Sequence, residues 1–126
     1  MKHNTMLTVA SLLSLLFLTL HITDDIVRGI SKAESSNTAL LVLAVLLYGT
    51  LVLSERRSGH VIMLLIGLMS AAMPVMHMRG ARYGEIAQSP GGFFFVWVLW
   101  ALGGLGGFTA ILSARGLWDL RRRRPR

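Results

Sequence analysis

The sequence predicts an all-α protein, an up-down-up-down bundle of four transmembrane helices forming one integral membrane domain over residues 1–126. Three observations predict it. Apolar runs at residues 6–22, 38–54, 61–78 and 93–112 contain no Asp, Glu, Lys or Arg. A helix rises about 1.5 Å per residue, so each run has the roughly 17 to 25 residues that cross a hydrocarbon core about 30 Å thick. None of the runs carries the charged face that a helix of a soluble bundle would turn to water.

The first run follows Lys2 and His3, as the apolar core of a secretory signal does. It is followed by Leu20, His21, Ile22 and Thr23, which offer no small-x-small cleavage site, so it reads as a retained span. The segment from 23 to 37 predicts a short interfacial helix with Thr23 or Asp24 as its N-cap and Asp24 four residues before Arg28. The second run is the weakest, since its 17 residues include polar ends. It spans only as an upright helix, or one that begins at Ser36 and Asn37. The turn at 55–59, Glu-Arg-Arg-Ser-Gly, is short enough to make the second and third helices antiparallel neighbours.

Pro74 lies inside the third run, where it removes a hydrogen bond to the carbonyl of Ser70 and predicts a bend. The segment from 79 to 92 contains Gly80, Gly84, Pro90, Gly91 and Gly92 and reads as a loop folded over the end of the bundle. In the fourth run, Gly103, Gly107, Ala110 and Ala114 recur at intervals of four, three and four and predict a face of close helix packing. That face serves either another helix of the same chain or a second copy. Ser11 and Ser14 offer hydroxyls for bonds between helices or to their own backbone. Phe93, Trp97, Trp100 and Trp118 read as interfacial belt aromatics.

Charge sets the expected orientation. With four spans, one side receives Lys2, Arg56, Arg57, Arg115, Arg121, Arg122, Arg123, Arg124 and Arg126 against Glu55 and Asp119. The other side receives Arg28, Lys32, Arg79 and Arg82 against Asp24, Asp25, Glu34 and Glu85. The positive-inside rule then places both termini in the cytoplasm. The basic tail reads as a topology determinant that meets anionic lipid. It has no interleaved aromatics and no recognition fold, so no nucleic-acid partner is expected. Membrane lipids are the expected partners, with a homo-oligomer or a larger membrane complex as further associations.

That orientation brings His21, Asp24, Asp25 and His77 to the outer face, below Arg79, Arg82, Tyr83 and Glu85. If the first helix continues past His21, spacings of three and four put both carboxylates beside the imidazole. Two acids at a helix C-terminus oppose the helix dipole, so they need a cation or a cap role. One reading is a site in which a carboxylate orients an imidazole for proton transfer or metal binding, with His21, Asp24 and His77 as candidate catalytic residues. The other is an interfacial knot of ion pairs that holds the outer loops.

Methionine supplies a second pattern. Met69, Met73 and His77 recur every four residues, with Met76 and Met78 beside the histidine. Thioethers and imidazole suit Cu(I), so copper is the cofactor this pattern admits, while methionine also fills helix interfaces. His60 and His3 fall on the opposite side. Cysteine is absent, which excludes disulfides and thiolate sites. The sequence has no phosphate loop, nucleophile elbow or zinc-protease helix, and no charge at a span centre such as an ion-coupled carrier needs.

The stretches LTLHITDDIVRG, FFFVWVLWALG and SARGLW resemble a group of small four-span bacterial membrane proteins, most specifically in HITDDIVRG, residues 21–29. The resemblance covers most of the chain and implies a bacterial inner-membrane location and the four-helix fold. It carries no activity to any residue. The function expected is that of a non-enzymatic accessory or interaction component with an outward His/Asp cluster. A membrane enzyme acting on a lipid-like substrate and a copper-binding protein are the alternatives.

Overall fold

The computed structural model describes residues 2–30 and 38–123, and these contain helices and turns but no strand. Helix α1 is His3–Val27, α2 is Thr38–Leu51, α3 is Arg57–Met78, α4 is Tyr83–Gln88 and α5 is Gly92–Arg122. Three of these, α1, α3 and α5, are long and apolar enough to cross a membrane. Helix α2 is more apolar than these three but has 14 residues, about 21 Å of helix, which alone falls short of a hydrocarbon core.

Three local expectations are corrected. The first helix does not stop near His21 to be followed by a capped interfacial helix. It runs on through Thr23, Asp24 and Asp25 to Val27. Its end is set by Gly29 (φ 66), where the Gly29 N–H bonds the Ile26 carbonyl at 3.0 Å and the Ile30 N–H bonds the Asp25 carbonyl at 2.9 Å. The remainder of that segment, 31–37, lies outside the described residues, as do Ser36 and Asn37. The reversal between α2 and α3 falls at 52–56, and Arg57, Ser58 and Gly59 already form the first turn of α3. The loop expected over 79–92 contains helix α4.

Each long helix buries a seam of residues alternately three and four apart. In α1 the seam is Leu7, Ser11, Ser14, Leu18, His21 and Asp25. The α3 seam is His60, Met63, Gly67, Ser70 and Pro74, and it reaches His77 one step further on. In α5 it is Phe95, Leu99, Leu102, Gly106, Thr109, Ser113 and Gly116. These seams share one interior: the α1 seam meets α2 at Ser11, α5 at Ser14 and α3 at Asp25, and the α5 seam meets α3 at Gly106 and α1 at Thr109.

The closest approach is between α3 and α5, which run antiparallel: Pro74 meets Gly103, Gly67 meets Gly106, and His60 meets Gly116. Gly107 lies off that seam, and the nearest atom to a Cβ placed there is Ala71 Cβ at 3.9 Å. Ala114 is exposed. The small-residue face therefore runs through Gly103, Gly106 and Ala110, rotated from the stripe that the spacing of Gly103, Gly107, Ala110 and Ala114 suggests.

Hydroxyl pairs join the helices inside the bundle. Thr50 gives its one hydroxyl proton to the Leu46 carbonyl at 2.7 Å, so in the 2.7 Å contact between Ser11 and Thr50 it is Ser11 that donates. Ser14 likewise donates to the Ala10 carbonyl, leaving Thr109 to donate to Ser14 Oγ at 3.2 Å. The buried polar residues, Ser11, Ser14, Thr50, Ser70, Thr109 and Ser113 among them, contrast with an outer surface of Leu16, Leu40, Leu65, Phe93 and Ile111. The hydroxyls of Ser11, Ser14, Thr50 and Thr109 are paired, whereas those of Ser70 and Ser113 have no partner among the described residues. Polar groups inside and large apolar groups outside is the arrangement a lipid solvent favours.

Candidate functional site

At the end of the bundle where α1 and α3 finish, their seams bring His21, Asp25 and His77 together. His21 and Asp25 are one turn apart on the buried face of α1, and His77 is the last seam position of α3. Asp25 Oδ2 lies 3.4 Å from His21 Nε2 and 3.4 Å from His77 Nε2. The two imidazoles meet edge to face with centroids 4.7 Å apart. Phe95, from the first turns of α5, lies beneath both rings at 6.4 and 6.0 Å.

Hydrogen bonding defines what His77 presents. Its Nδ1 is 3.0 Å from the Met73 carbonyl, which only accepts, so Nδ1 carries a proton and donates it. In the neutral ring, Nε2 then holds a lone pair aimed at a carboxylate oxygen. Two lone pairs facing each other at this distance are held together by a proton or a cation between them. A histidine that gives one nitrogen to a carbonyl and offers the other to a shared centre is oriented as metal-ligating histidines are. His21 Nδ1 and Asp25 Oδ1 are buried without a hydrogen-bond partner, so both residues face the cluster through His21 Nε2 and Asp25 Oδ2.

The geometry suits a small ion. With metal–ligand distances near 2.1 Å, the edges of a tetrahedron are about 3.4 Å, the spacing Asp25 Oδ2 keeps from both imidazoles. All three ligand atoms lie within 4.8 Å of one another. Beside His77 is a cavity of about 260 Å³, lined in part by Ile30, Arg82, Tyr83, Ile86 and Phe95, which gives a small group an approach to the cluster.

The acids divide their roles. Asp25 joins the imidazoles, whereas Asp24 bonds Arg28 Nε at 2.8 Å. Arg28 also donates to Ser89 Oγ at 2.8 Å and to the Pro90 carbonyl at 3.3 Å, and its guanidinium lies 5.6 Å from the Phe95 ring centre. It thereby ties the end of α1 to the turn between α4 and α5. These contacts answer the dipole problem: one acid has a cation, and the other sits between two imidazoles. Asp24 therefore stands outside the trio in which it was expected with His21 and His77.

Arg79, Arg82 and Glu85 are exposed, and none forms an ion pair with another described residue. Met69, Met76 and Met78 are exposed on α3, and Met73 packs against the apolar core. Met73 meets His77 through its carbonyl oxygen. The signal that separates Asp25 from Asp24 was present in the chain: Leu7, Ser11, Ser14, Leu18, His21 and Asp25 step by four, three, four, three and four. Comparison with known proteins finds no matching family model, no matching curated protein and no matching solved structure.

Proposed function

We propose that this chain is a small four-span integral membrane protein with both termini cytoplasmic, and that it binds a divalent transition-metal ion of the zinc class through His21, Asp25 and His77 at its outer end. The location follows from the charge asymmetry across the apolar runs, and the bacterial inner membrane from the resemblance of the 21–29 segment. In this reading α2 crosses with the help of residues flanking its 14-residue helix.

One observation carries the metal reading: a single carboxylate oxygen stands 3.4 Å from two imidazole nitrogens, one of which is oriented by a carbonyl on its far side. Two nitrogens and one oxygen form a borderline-hard ligand set that suits Zn(II) better than Cu(I), which prefers thioethers. Three protein ligands leave a fourth position, reached from the cavity beside His77. The role is that of a binding component. The same cavity also admits an acid-base enzyme in which Asp25 and the two histidines move a proton on a lipid-like substrate.

Metal analysis and calorimetry of the purified protein in detergent test this. One zinc per chain is expected, with affinity reduced roughly 100-fold or more in His21→Ala, Asp25→Asn and His77→Ala. Zinc binding that is absent, or unchanged in all three variants, removes the metal reading and leaves the acid-base one.

A further inference from the structure

All four histidines of the chain fall into two pairs between α1 and α3, one at each end of the bundle. At the end opposite His21 and His77, His3 and His60 gather around Gly116 of α5. A Cβ there would collide with His60 Nε2 and lie 3.4 Å from His3 Nε2. The missing side chain makes room for both rings. Beside them is a cavity of about 480 Å³ lined by Lys2, His3, Asn4, Glu55, His60, Gly116, Asp119 and Arg123 among others. Small-molecule sites are of this size, roughly 300 to 1,000 Å³, whereas a single water needs only about 10 to 15 Å³.

The cavity is lined by charges of both signs. Lys2, His3 and Asn4 are the cap and first turn of α1, and Glu55 and His60 flank the start of α3. Helix α1 has no side-chain N-cap, and its cap and first turn line the cavity, so the positive end of its dipole adds to the cations Lys2 and Arg123. The carboxylates of Glu55 and Asp119 line the same cavity.

His60 points the same way. It is 3% exposed and donates its Nδ1 proton to the Arg56 carbonyl at 2.9 Å, so the neutral ring's Nε2 is an acceptor, without a partner among the described residues. His3 Nε2 is also buried and unpartnered. The cavity thus offers donors and positive charge for an anion, and acceptors and negative charge for an amine. Among the described residues, the trio of metal-type ligands lies at the other end.

We infer that this cavity binds an aminophosphate group, its phosphate held by Lys2, Arg123 and the first turn of α1 and its amine by His60, Glu55 and Asp119. The source is a phospholipid headgroup or a soluble aminophosphate. The inference is independent of the metal site.

The test is calorimetry and thermal unfolding of the full chain in detergent with four probes: short-chain phosphatidylethanolamine, short-chain phosphatidylglycerol, soluble phosphoethanolamine and inorganic phosphate. At least one amine-bearing probe is expected to bind more tightly than both amine-free ones. The Lys2→Gln, Arg123→Gln double variant, which changes two exposed side chains, should weaken that binding about tenfold or more while its ligand-free unfolding stays that of wild type. Tighter binding of the lipid identifies a headgroup site, and equal binding of phosphoethanolamine a soluble ligand. Failure of both amine probes, amine-free probes binding equally well, or an unaltered double variant overturns the inference.

Discussion

Gly67 of α3 and Gly106 of α5 meet backbone to backbone. A Cβ on Gly67 would stand 2.7 Å from the Gly106 carbonyl oxygen, and one on Gly106 would stand 2.8 Å from the Gly67 carbonyl oxygen and 2.5 Å from Ser70 Cβ. Neither clash is with the flexible end of a side chain, so accommodation requires the helices to separate. Where lipid supplies no hydrophobic drive between helices, that loss of contact falls directly on stability.

Gly106→Ala is therefore expected to destabilise the bundle by about 1 to 3 kcal/mol, the range of overpacking in a close contact. Gly107→Ala, one position on, meets only Ala71 Cβ at 3.9 Å and should be neutral or stabilising by up to about 1 kcal/mol through helix propensity. Thermal unfolding in detergent compares the two. Equal effects would mean that α5 is rotated from the packing described.

The hydroxyl pair between α1 and α2 makes a second case. Thr50→Val removes the acceptor for the Ser11 proton while keeping the shape of the side chain, and Ser11→Ala removes the donor. A double-mutant cycle should give a coupling of about 0.6 kcal/mol, the usual size for such pairs in membrane bundles. A coupling of zero would show that Ser11 satisfies itself elsewhere.

Arg28 should matter more to the end of the bundle that holds His21 and His77 than either acid by itself. Arg28→Ala removes the ties to Asp24, Ser89 and Pro90 together and leaves Asp24 alone at a helix C-terminus. We expect a loss of about 1 to 3 kcal/mol, the range for hydrogen bonds to a charged group, and faster limited proteolysis within 79–92. Asp24→Asn should cost about 0.5 kcal/mol, as one partly exposed pair does. If the two variants are cut at the same rate as wild type, the Arg28 contacts do not hold that turn.

Orientation is checked by reporter fusions. Fusions after Arg57 and after Arg126 are expected to report cytoplasm, and those within 31–37 or 81–88 the outer side. Termini on opposite sides would remove one span, and the short α2 is the one that would go.

Apolar runs free of charge and the positions of α1, α3 and α5 were legible in the chain itself, because length and transfer free energy from water to hydrocarbon are properties of local sequence. The ends were less so. Gly29 terminates α1 five residues beyond the expected break, since a helix with an acid already neutralised by Arg28 has no reason to stop at Asp24. The order of the apolar runs put His21, Asp24, Asp25 and His77 at one end of the expected bundle, but which acid joins the imidazoles depends on how α1 is rotated about its axis. That rotation is settled by the Ser11–Thr50 and Ser14–Thr109 contacts, which turn the Leu7 to Asp25 seam inward and leave Asp24 to Arg28. Small residues recur at helical spacing on more than one line of α5: Gly103, Gly107, Ala110 and Ala114 step by four, three and four, while Gly103, Gly106 and Ala110 step by three and four. Contact with Gly67, Pro74 and His60 selects the set through Gly103, Gly106 and Gly116. Local sequence determined what could cross a membrane, and only the packing of one helix on another decided which side chains meet, because azimuth and register are properties of pairs of helices.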